Sequence, residues 1–420
     1  MLRTIARTYR DAFSGLPRPV WLLSIASLVN RSGTMVLPFL ALFLTEERGF
    51  STEGAGRALA LYGVGAVTGS WLGGWLCDRF APTRVMKWSL VGTGAGFLAV
   101  GQAEDRALVL ALIVVVSIIG EAFRPAAQAA VAAACPPEVR TRGFALNRLA
   151  INVGMTLGPA LGGFLALYNY AWLFVADGVT CLVAAFLVHL FFPTPLRTAA
   201  LKNAAAPAGQ AAARAAGSPW RDLPFLGVMF LSFLMAAAVF QVFTTFPLTL
   251  RDLYGMREDS IGLALAVNTL VIVLFEMVLV HSLDRRDPLE ISGVGSFLTC
   301  LGLGLLPLGA VFGWGFGYVA LSVMVWSVGE MLTLPFLAGV VANRAGEGNL
   351  GRYMGFYVTT FSAAFVIAPL LGTWIYDTWG PHALWYGWGS LGLPLWAGFH
   401  WLAVRERRSR GQMAVTVPAA

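Results

Sequence analysis

Residues 152–164 read NVGMTLGPALGGF, a G-x-x-x-G-P-x-x-G-G string inside an apolar stretch. Small residues let two helices approach closely, and a proline can bend the helix that carries it. The residues with these properties are Gly154, Gly158, Pro159, Gly162 and Gly163. Apolar stretches of similar length make up most of the chain, so the whole fold is expected to consist of packed apolar helices like this one.

The composition is that of an integral membrane protein. Of 420 residues, 57% are hydrophobic and only 12% are charged, which would leave too much apolar surface on a soluble chain. Twelve apolar stretches of roughly 20 residues are long enough to span a bilayer. They begin near Val20, Gly56, Arg84, Ala107, Phe144, Tyr170, Leu223, Ile261, Leu289, Gly315, Tyr353 and Ala383. We therefore predict an all-α protein of twelve transmembrane helices with almost no sequence for a soluble domain.

The distribution of cations predicts the orientation. With both termini in the cytoplasm, 22 of the 29 Lys and Arg residues lie in cytoplasmic segments and five lie outside. Cations in short loops are retained on the cytoplasmic side, so this topology is favoured. The net positive charge then comes from cations retained on the cytoplasmic side, where they face anionic lipid headgroups. We therefore expect no nucleic-acid partner. The predicted location is the inner (cytoplasmic) membrane.

The chain consists of two related halves. Gly120-Glu121 recurs as Gly329-Glu330, and Pro125, Arg142, Pro159 and Gly162 recur 210 positions later as Pro335, Arg352, Pro369 and Gly372. Residues 193–220 have the composition of a linker. We predict a six-helix half at 1–192, a cytoplasmic linker at 193–220 and a second half at 221–420, related by pseudo-two-fold symmetry. Parallel repeats of this kind place a substrate cavity between the halves.

A second motif follows the second span. Residues 74–84 read GWLCDRFAPTR, which matches G-x-L-a-D-R-x-G-R-[RK] at Gly74, Leu76, Asp78, Arg79 and Arg84, with Ala81 and Pro82 as departures. With this motif and the string at 152–164, the chain resembles the major facilitator superfamily, specifically its twelve-span drug:proton antiporter branch.

The resemblance implies roles for both motifs. Asp78, Arg79 and Arg84 would form a cytoplasmic charge latch between the second and third spans that also meets the eleventh. Gly154, Gly158, Pro159, Gly162 and Gly163 would allow the fifth span to bend as a hinge. Ordinary topogenic charge and a general packing motif are the structural alternatives.

Six ionisable residues lie within the predicted spans: Arg31, Glu121, Arg124, Asp177, Glu276 and Glu330. Each costs about 2.5–3.5 kcal/mol at a helix centre, so such residues usually face a cavity or a partner. In the first half, Arg31 and Arg124 balance Glu121 and Asp177. This set predicts either a structural network or a gating and proton-coupling network.

Glu276 and Glu330 are the first candidates for proton coupling, with Glu121 and Asp177 next. Both lie in spans whose membrane core contains no Lys or Arg. A carboxyl group binds a proton in an apolar surrounding and releases it to water, as a proton-coupled carrier requires. A permanently protonated glutamate in a helix contact is the alternative.

Amide side chains also need hydrogen-bond partners inside a membrane, so amides in the spans are candidates for lining the substrate cavity. The four candidates are Asn30, Asn152, Gln241 and Asn268.

No motif indicates an enzyme, a metal site or a cofactor. The four cysteines and four histidines lack ligand spacing, and no G-x-x-x-x-G-K-[ST] string occurs. The predicted function is proton-coupled export of lipophilic or amphiphilic small molecules by alternating access. The partners would be substrate, protons and lipid, with no obligatory protein partner. The alternatives are a proton-coupled importer of a polar nutrient and a non-transporting membrane sensor or assembly factor.

Overall fold

The computed structural model describes residue 7 and residues 10–166, 168–196, 218–345 and 349–415. No β-strand occurs in these ranges. Most of the predicted linker lies outside them. Eight helical stretches in the described part are long and apolar enough to cross a membrane, and one of these, Leu350–Arg408, contains two successive spans.

In the described residues, twelve helical segments match the predicted spans in order, and each begins within four residues of its predicted start. The first six are α1 (Arg18–Ser32 and Val36–Leu42), α2 (Thr52–Arg79), α3 (Pro82–Gln102), α4 (Arg106–Glu121 and Phe123–Ala134), α5 (Arg140–Ala166) and α6 (Ala171–Phe191). The second six are α7 (Leu223–Val239 and Thr245–Tyr254), α8 (Glu258–Leu283), α9 (Pro288–Val311), α10 (Phe316–Arg344), α11 (350–379) and α12 (381–390 and Gly392–Val415). The predicted twelve-helix fold is confirmed.

Local sequence explains where several helices begin. The side chains of Ser51, Asp105, Asp222 and Asp287 accept hydrogen bonds from backbone N–H groups in the first turns of α2, α4, α7 and α9. These caps satisfy donors that have no partner within the helix. Pro82 begins α3 at a position where its missing N–H costs nothing.

Between α11 and α12 there is no loop. The helix Leu350–Ser390 is broken only at Gly380, whose φ of 83° and ψ of 170° belong to a region essentially restricted to glycine. Pro381 follows directly and starts α12. One residue therefore makes the whole turn between two membrane-spanning helices.

The chain divides into two compact units. The first unit contains Phe13–Pro219 and Val341–Ser362, and the second contains Met1–Ala12, Trp220–Val340 and Ala363–Ala420. Within the first unit, α1 packs on α5, α2 on α4 and α3 on α6; within the second, α12 packs on α9 and α7. The predicted division at residues 192 and 221 remains a proposal, and residues 341–362 group with the first unit.

Candidate transport site

Helix α1 is interrupted between Ser32 and Val36, and Asp177 of α6 lies at the interruption. Its carboxylate accepts hydrogen bonds from the N–H of Met35, at 3.0 and 3.2 Å, and of Val36, at 2.9 Å. These N–H groups begin the helix Val36–Leu42, so the carboxylate caps its N-terminus. The Asp177 residue is only 2% exposed. This geometry gives Asp177 a structural partner, and its proton-coupling role stays a prediction.

The glycines of the α5 motif contact the same interruption. A Cβ atom added to Gly154 would lie 2.7 Å from Cβ of Arg31, and one added to Gly158 would lie 3.1 Å from the Arg31 carbonyl oxygen. The close approach of α5 to α1 therefore leaves no room for a side chain at Gly154, and at Gly158 a methyl group would be tightly packed against backbone oxygens. A Cβ added to Gly162 would lie 3.0 Å from Cβ of Met35. One added to Gly163 would have Cζ of Phe39, at 3.9 Å, as its nearest neighbour among the described residues. The hinge role of these glycines and Pro159 remains a prediction.

Helix α4 is also interrupted, at Ala122, and its two intramembrane charges flank that residue. Nη1 of Arg124 lies 3.3 Å from Oε2 of Glu121 and 3.5 Å from Oγ of Ser362. Arg31 of α1 interacts electrostatically with Glu121 and Arg124. The structure thus brings three of the four predicted charges of the first half together, and it places the fourth, Asp177, on backbone amides of α1.

An apolar pocket lies between α1, α2, α3, α4 and α6 in the first unit. Its cavity volume is only about 20 Å³, which is room for about one water molecule. Its lining is Val36, Leu37, Leu40, Tyr62, Phe97, Val100, Ile113, Val116 and Phe174. Most of these residues belong to the hydrophobic core of the first unit.

In the second unit, the two predicted coupling carboxylates are buried. Glu276 of α8 is 0% exposed and Glu330 of α10 is 7% exposed. Both spans are long and apolar enough to cross a membrane. Each glutamate lies 15 residues after the predicted start of its span, which corresponds to about 22 Å along a helix. The two carboxylates are thus at the same sequence depth.

The predicted cavity amides make helix-to-helix contacts in three of four cases. Gln241, where α7 is interrupted, donates to the Ala368 carbonyl of α11 at 2.8 Å and accepts from the Thr245 hydroxyl at 2.9 Å. Asn268 donates to Ser327 of α10 at 2.9 Å. Asn30 donates to the sulfur of Cys181 at 3.6 Å. For Asn152, the buried Nδ2 has no hydrogen-bond partner in the described part of the chain.

The motif at the end of α2 contacts the start of α11. Oδ2 of Asp78 lies 3.2 Å from Nε of Arg352, and Oδ1 accepts from the Arg352 N–H at 3.3 Å. A Cβ added to Gly74 would lie 2.5 Å from Cα of Gly355. The predicted contact with the eleventh span is therefore present, and both sides of it belong to the first unit.

The other two basic residues of this motif do not pair with Asp78 in the described structure. The Arg79 guanidinium lies over the Trp75 ring at 3.7 Å from its centroid. For Arg84, the contact found among the described residues is its backbone N–H donating to the Ala81 carbonyl. The cation on Asp78 is Arg352, which the sequence had indicated only as the repeat partner of Arg142.

A family model described as Major Facilitator Superfamily matches residues 20–332 and 254–416. The chain belongs to the major facilitator superfamily. Among its relatives in that superfamily, it is 24% identical to a Na(+), Li(+), K(+)/H(+) antiporter of Planococcus maritimus, over 86% of this chain and 88% of that protein. It is 26% identical to the class E tetracycline resistance protein of Escherichia coli, over 84% and 86% respectively.

Solved structures of the superfamily share its fold. The proton:xylose symporter XylE aligns with a TM-score of 0.68 at 15% identity, covering 91% of this chain and 94% of that one. As a member of this superfamily, the chain is a multi-pass membrane protein and a secondary transporter rather than an enzyme. The predicted resemblance is confirmed.

Proposed function

We propose that this facilitator exports lipophilic or amphiphilic small molecules in exchange for protons, across the inner (cytoplasmic) membrane and with both termini in the cytoplasm. The observation that carries the proposal is the burial of Glu276 and Glu330 inside two apolar spans of one unit. A carboxyl group in that position binds a proton while it is shielded and releases it when hydrated. Relatives named as a cation/proton antiporter and a tetracycline resistance protein support exchange and export.

Alternating access would shield the carboxyl group in one part of the cycle and expose it to water in another. When the carrier opens to the side of higher proton activity, the carboxylate takes up a proton, and substrate leaves. When it opens to the other side, the carboxyl group loses the proton, and substrate binds. Protons and membrane lipid are thus the only partners besides substrate that this cycle requires. The proton gradient drives export because the two fluxes share one conformational cycle.

The test is a flux measurement in proteoliposomes. An inward proton gradient is imposed on vesicles loaded with lipophilic cations, neutral amphiphiles or amphiphilic carboxylates, and solute release and internal pH are followed together. We expect opposite, coupled fluxes. With Glu276→Gln or Glu330→Gln, we expect at least one variant to exchange solute without moving protons.

Glu104→Gln is the matched control, because Glu104 is exposed in the turn between α3 and α4. It should leave both fluxes unchanged. Proton and solute movement in the same direction would replace export with proton-coupled import. Full proton coupling in both buried-glutamate variants would remove Glu276 and Glu330 from the mechanism.

A further inference from the structure

In the second unit, α7 and α12 pack against each other through two glycines. A Cβ added to Gly227 of α7 would lie 3.5 Å from Cδ2 of Leu402, and one added to Gly398 of α12 would lie 2.8 Å from Cδ2 of Leu231. The contact moves back along α12 as it moves forward along α7, so the two helices are antiparallel. The start of α7 is therefore beside the end of α12.

The two flanks of α12 have different neighbours. A Cβ added to Gly293 of α9 would lie 3.1 Å from Cβ of Phe399, so this flank of α12 faces α9. At 100° per residue, Trp401, Arg405 and Arg408 lie about 60–120° from the α7 contact in the opposite sense. Trp401 is 57% exposed, and both arginines are exposed as well. This second flank of α12 is open.

Helix α7 exposes apolar side chains next to the open flank of α12. Leu223 and Phe230 are 71% and 62% exposed, and they lie on the opposite side of α7 from the buried Phe225 and Val228. Helix α9 packs on both α7 and α12, so its side of their contact is closed. The exposed flanks therefore share the other side. They form a lipid-facing groove, the α7–α12 groove, whose apolar lining is Leu223, Phe230 and Trp401.

Two arginines lie at the end of this groove. Cζ of Arg405 lies 5.2 Å from the centroid of the Trp401 ring, and Arg408 follows one turn later. Neither arginine side chain makes a hydrogen bond or an ion pair within the described residues. Arg407, by contrast, lies on the α9 flank and pairs with acidic residues at the start of α9. The cations of the open flank thus have no protein anion of their own in the described structure.

The charged residues at this end leave one positive charge in excess. Around the groove, Arg221, Arg405 and Arg408 stand against Asp222 and Glu406. The α9 side is balanced by itself, because its three arginines match its three carboxylates in number: Arg285, Arg286 and Arg407, with Asp284, Asp287 and Glu290. A phospholipid phosphate diester carries one negative charge, and its acyl chains are apolar. Both properties match the groove.

We propose that the α7–α12 groove binds an anionic phospholipid of the phosphatidylglycerol class, with its phosphate on Arg405 and Arg408 and an acyl chain along the apolar lining. Guanidinium groups form short, charge-assisted hydrogen bonds with phosphate oxygens. A zwitterionic headgroup would bring its own cation next to the arginines, so the anionic lipid is preferred. This site goes beyond the export function and does not depend on the direction of transport.

The experiment measures lipid selectivity at Trp401 in the full chain. The protein is reconstituted in brominated phosphatidylcholine, which quenches lipid-facing tryptophans. Part of this lipid is then replaced by unbrominated phosphatidylglycerol or, in parallel, by unbrominated phosphatidylcholine. Subtracting the signal of Trp401→Phe isolates the fluorescence of Trp401. The difference in fluorescence recovery between the two replacements gives the affinity of phosphatidylglycerol relative to phosphatidylcholine at this side chain.

We expect phosphatidylglycerol to be favoured about fivefold or more at Trp401, since each arginine near a membrane surface contributes about a fivefold preference. In the double variant Arg405→Gln/Arg408→Gln the ratio should fall to about one, with each single variant in between. Arg257→Gln makes the same change at an exposed site before α8 and should leave the ratio unchanged. Each variant is compared with its own Trp401→Phe counterpart.

Trp314 is the matched tryptophan control. It is 51% exposed, lies just after α9 at the opposite end of that helix, and has no Lys or Arg within residues 311–317. Its ratio, isolated with Trp314→Phe, should be about one. Quenching of Trp401 in pure brominated phosphatidylcholine should equal that of the wild type in every arginine variant, which shows that the groove is intact.

Three results would overturn the assignment. They are a wild-type ratio at Trp401 no greater than that at Trp314, a ratio that survives in the double variant, and an equal fall in Arg257→Gln. The first would mean that Trp401 meets ordinary bulk lipid. The second and third would mean that any preference comes from the overall charge of the protein and not from Arg405 and Arg408.

Discussion

Gly154→Ala and Gly163→Ala make the same chemical change in one motif, yet we expect opposite effects on stability. At Gly154 the new methyl group would lie 2.7 Å from Cβ of Arg31 and 2.8 Å from the Leu28 carbonyl oxygen. Ordinary contact begins near 3.4 Å, so α5 and α1 must separate by 3.4 minus 2.7, or 0.7 Å. Part of the obstacle is helix backbone, which cannot rotate away.

Two opposing contributions determine how much Gly154→Ala changes the free energy of unfolding. Overpacking of this kind costs about 1–3 kcal/mol, and a backbone obstacle places Gly154→Ala in the upper part of that range. Replacing a helical glycine by alanine returns about 1 kcal/mol. The net loss at Gly154 is thus about 1–2 kcal/mol. Gly163 has only Cζ of Phe39 at 3.9 Å, so there the helix-propensity gain acts alone.

The assay is reversible unfolding in mixed detergent and SDS micelles, followed by tryptophan fluorescence. Gly154→Ala should unfold at lower SDS than the wild type, and Gly163→Ala at equal or higher SDS. The two free energies of unfolding should differ by about 2–3 kcal/mol. Equal midpoints for the two variants, or a more stable Gly154→Ala, would refute the close packing of α5 on α1.

Four other perturbations have expected outcomes. Asp177→Asn should lower the free energy of unfolding by about 1–3 kcal/mol, since it removes the charge and replaces one of the two accepting oxygens by an NH₂ donor that faces a backbone N–H. Asp78→Asn should cost only about 1 kcal/mol in the same assay, because Arg352 is half exposed and water screens the pair. Gln241→Leu should cost about 1–3 kcal/mol, because it leaves a buried carbonyl and hydroxyl without their amide. Burial raises the pKa of the Cys135 thiol to about 11, so maleimide at pH 8 should label it about a hundredfold more slowly than an ordinary exposed thiol, as mass spectrometry would show.

Exposed counterparts serve as controls. Asp105→Asn removes the charge from an exposed cap of α4, and Gln102→Leu removes an exposed amide from α3. Both should change stability by less than about 0.5 kcal/mol. Losses at Asp177 or Gln241 no larger than these would contradict the structural roles assigned to them. Rapid labelling of Cys135 in the folded protein would contradict its burial.

The fold could be predicted because a bilayer imposes a length and an apolar composition on every spanning helix. Both motifs could be recognised in the sequence because a close approach of two helices restricts the residue types at the contact. The contact of Asp78 with the eleventh span was also predicted, but through resemblance. Its partner Arg352 was marked only by the 210-residue repeat.

The interruption of α1 could not be foreseen in this way. Asp177 bonds to backbone N–H groups 141 and 142 positions away, and a backbone donor has no signature in sequence. The same applies to Gln241, whose acceptor is the carbonyl of Ala368. The gap lined by Tyr62 was missed as well, because its lining comes from five helices that only the tertiary structure brings together.

The turn at Gly380 has a mechanical consequence. Because a single residue joins α11 to α12, the adjacent ends of these helices cannot separate by more than one peptide unit allows. A tilt of α11 at that end must therefore carry α12 with it, as in a rigid hairpin. Any substitution of Gly380 would strain this joint, because side chains exclude its backbone angles. The two helices therefore move together, and a tag or reporter inserted at 380 would allow them to move independently.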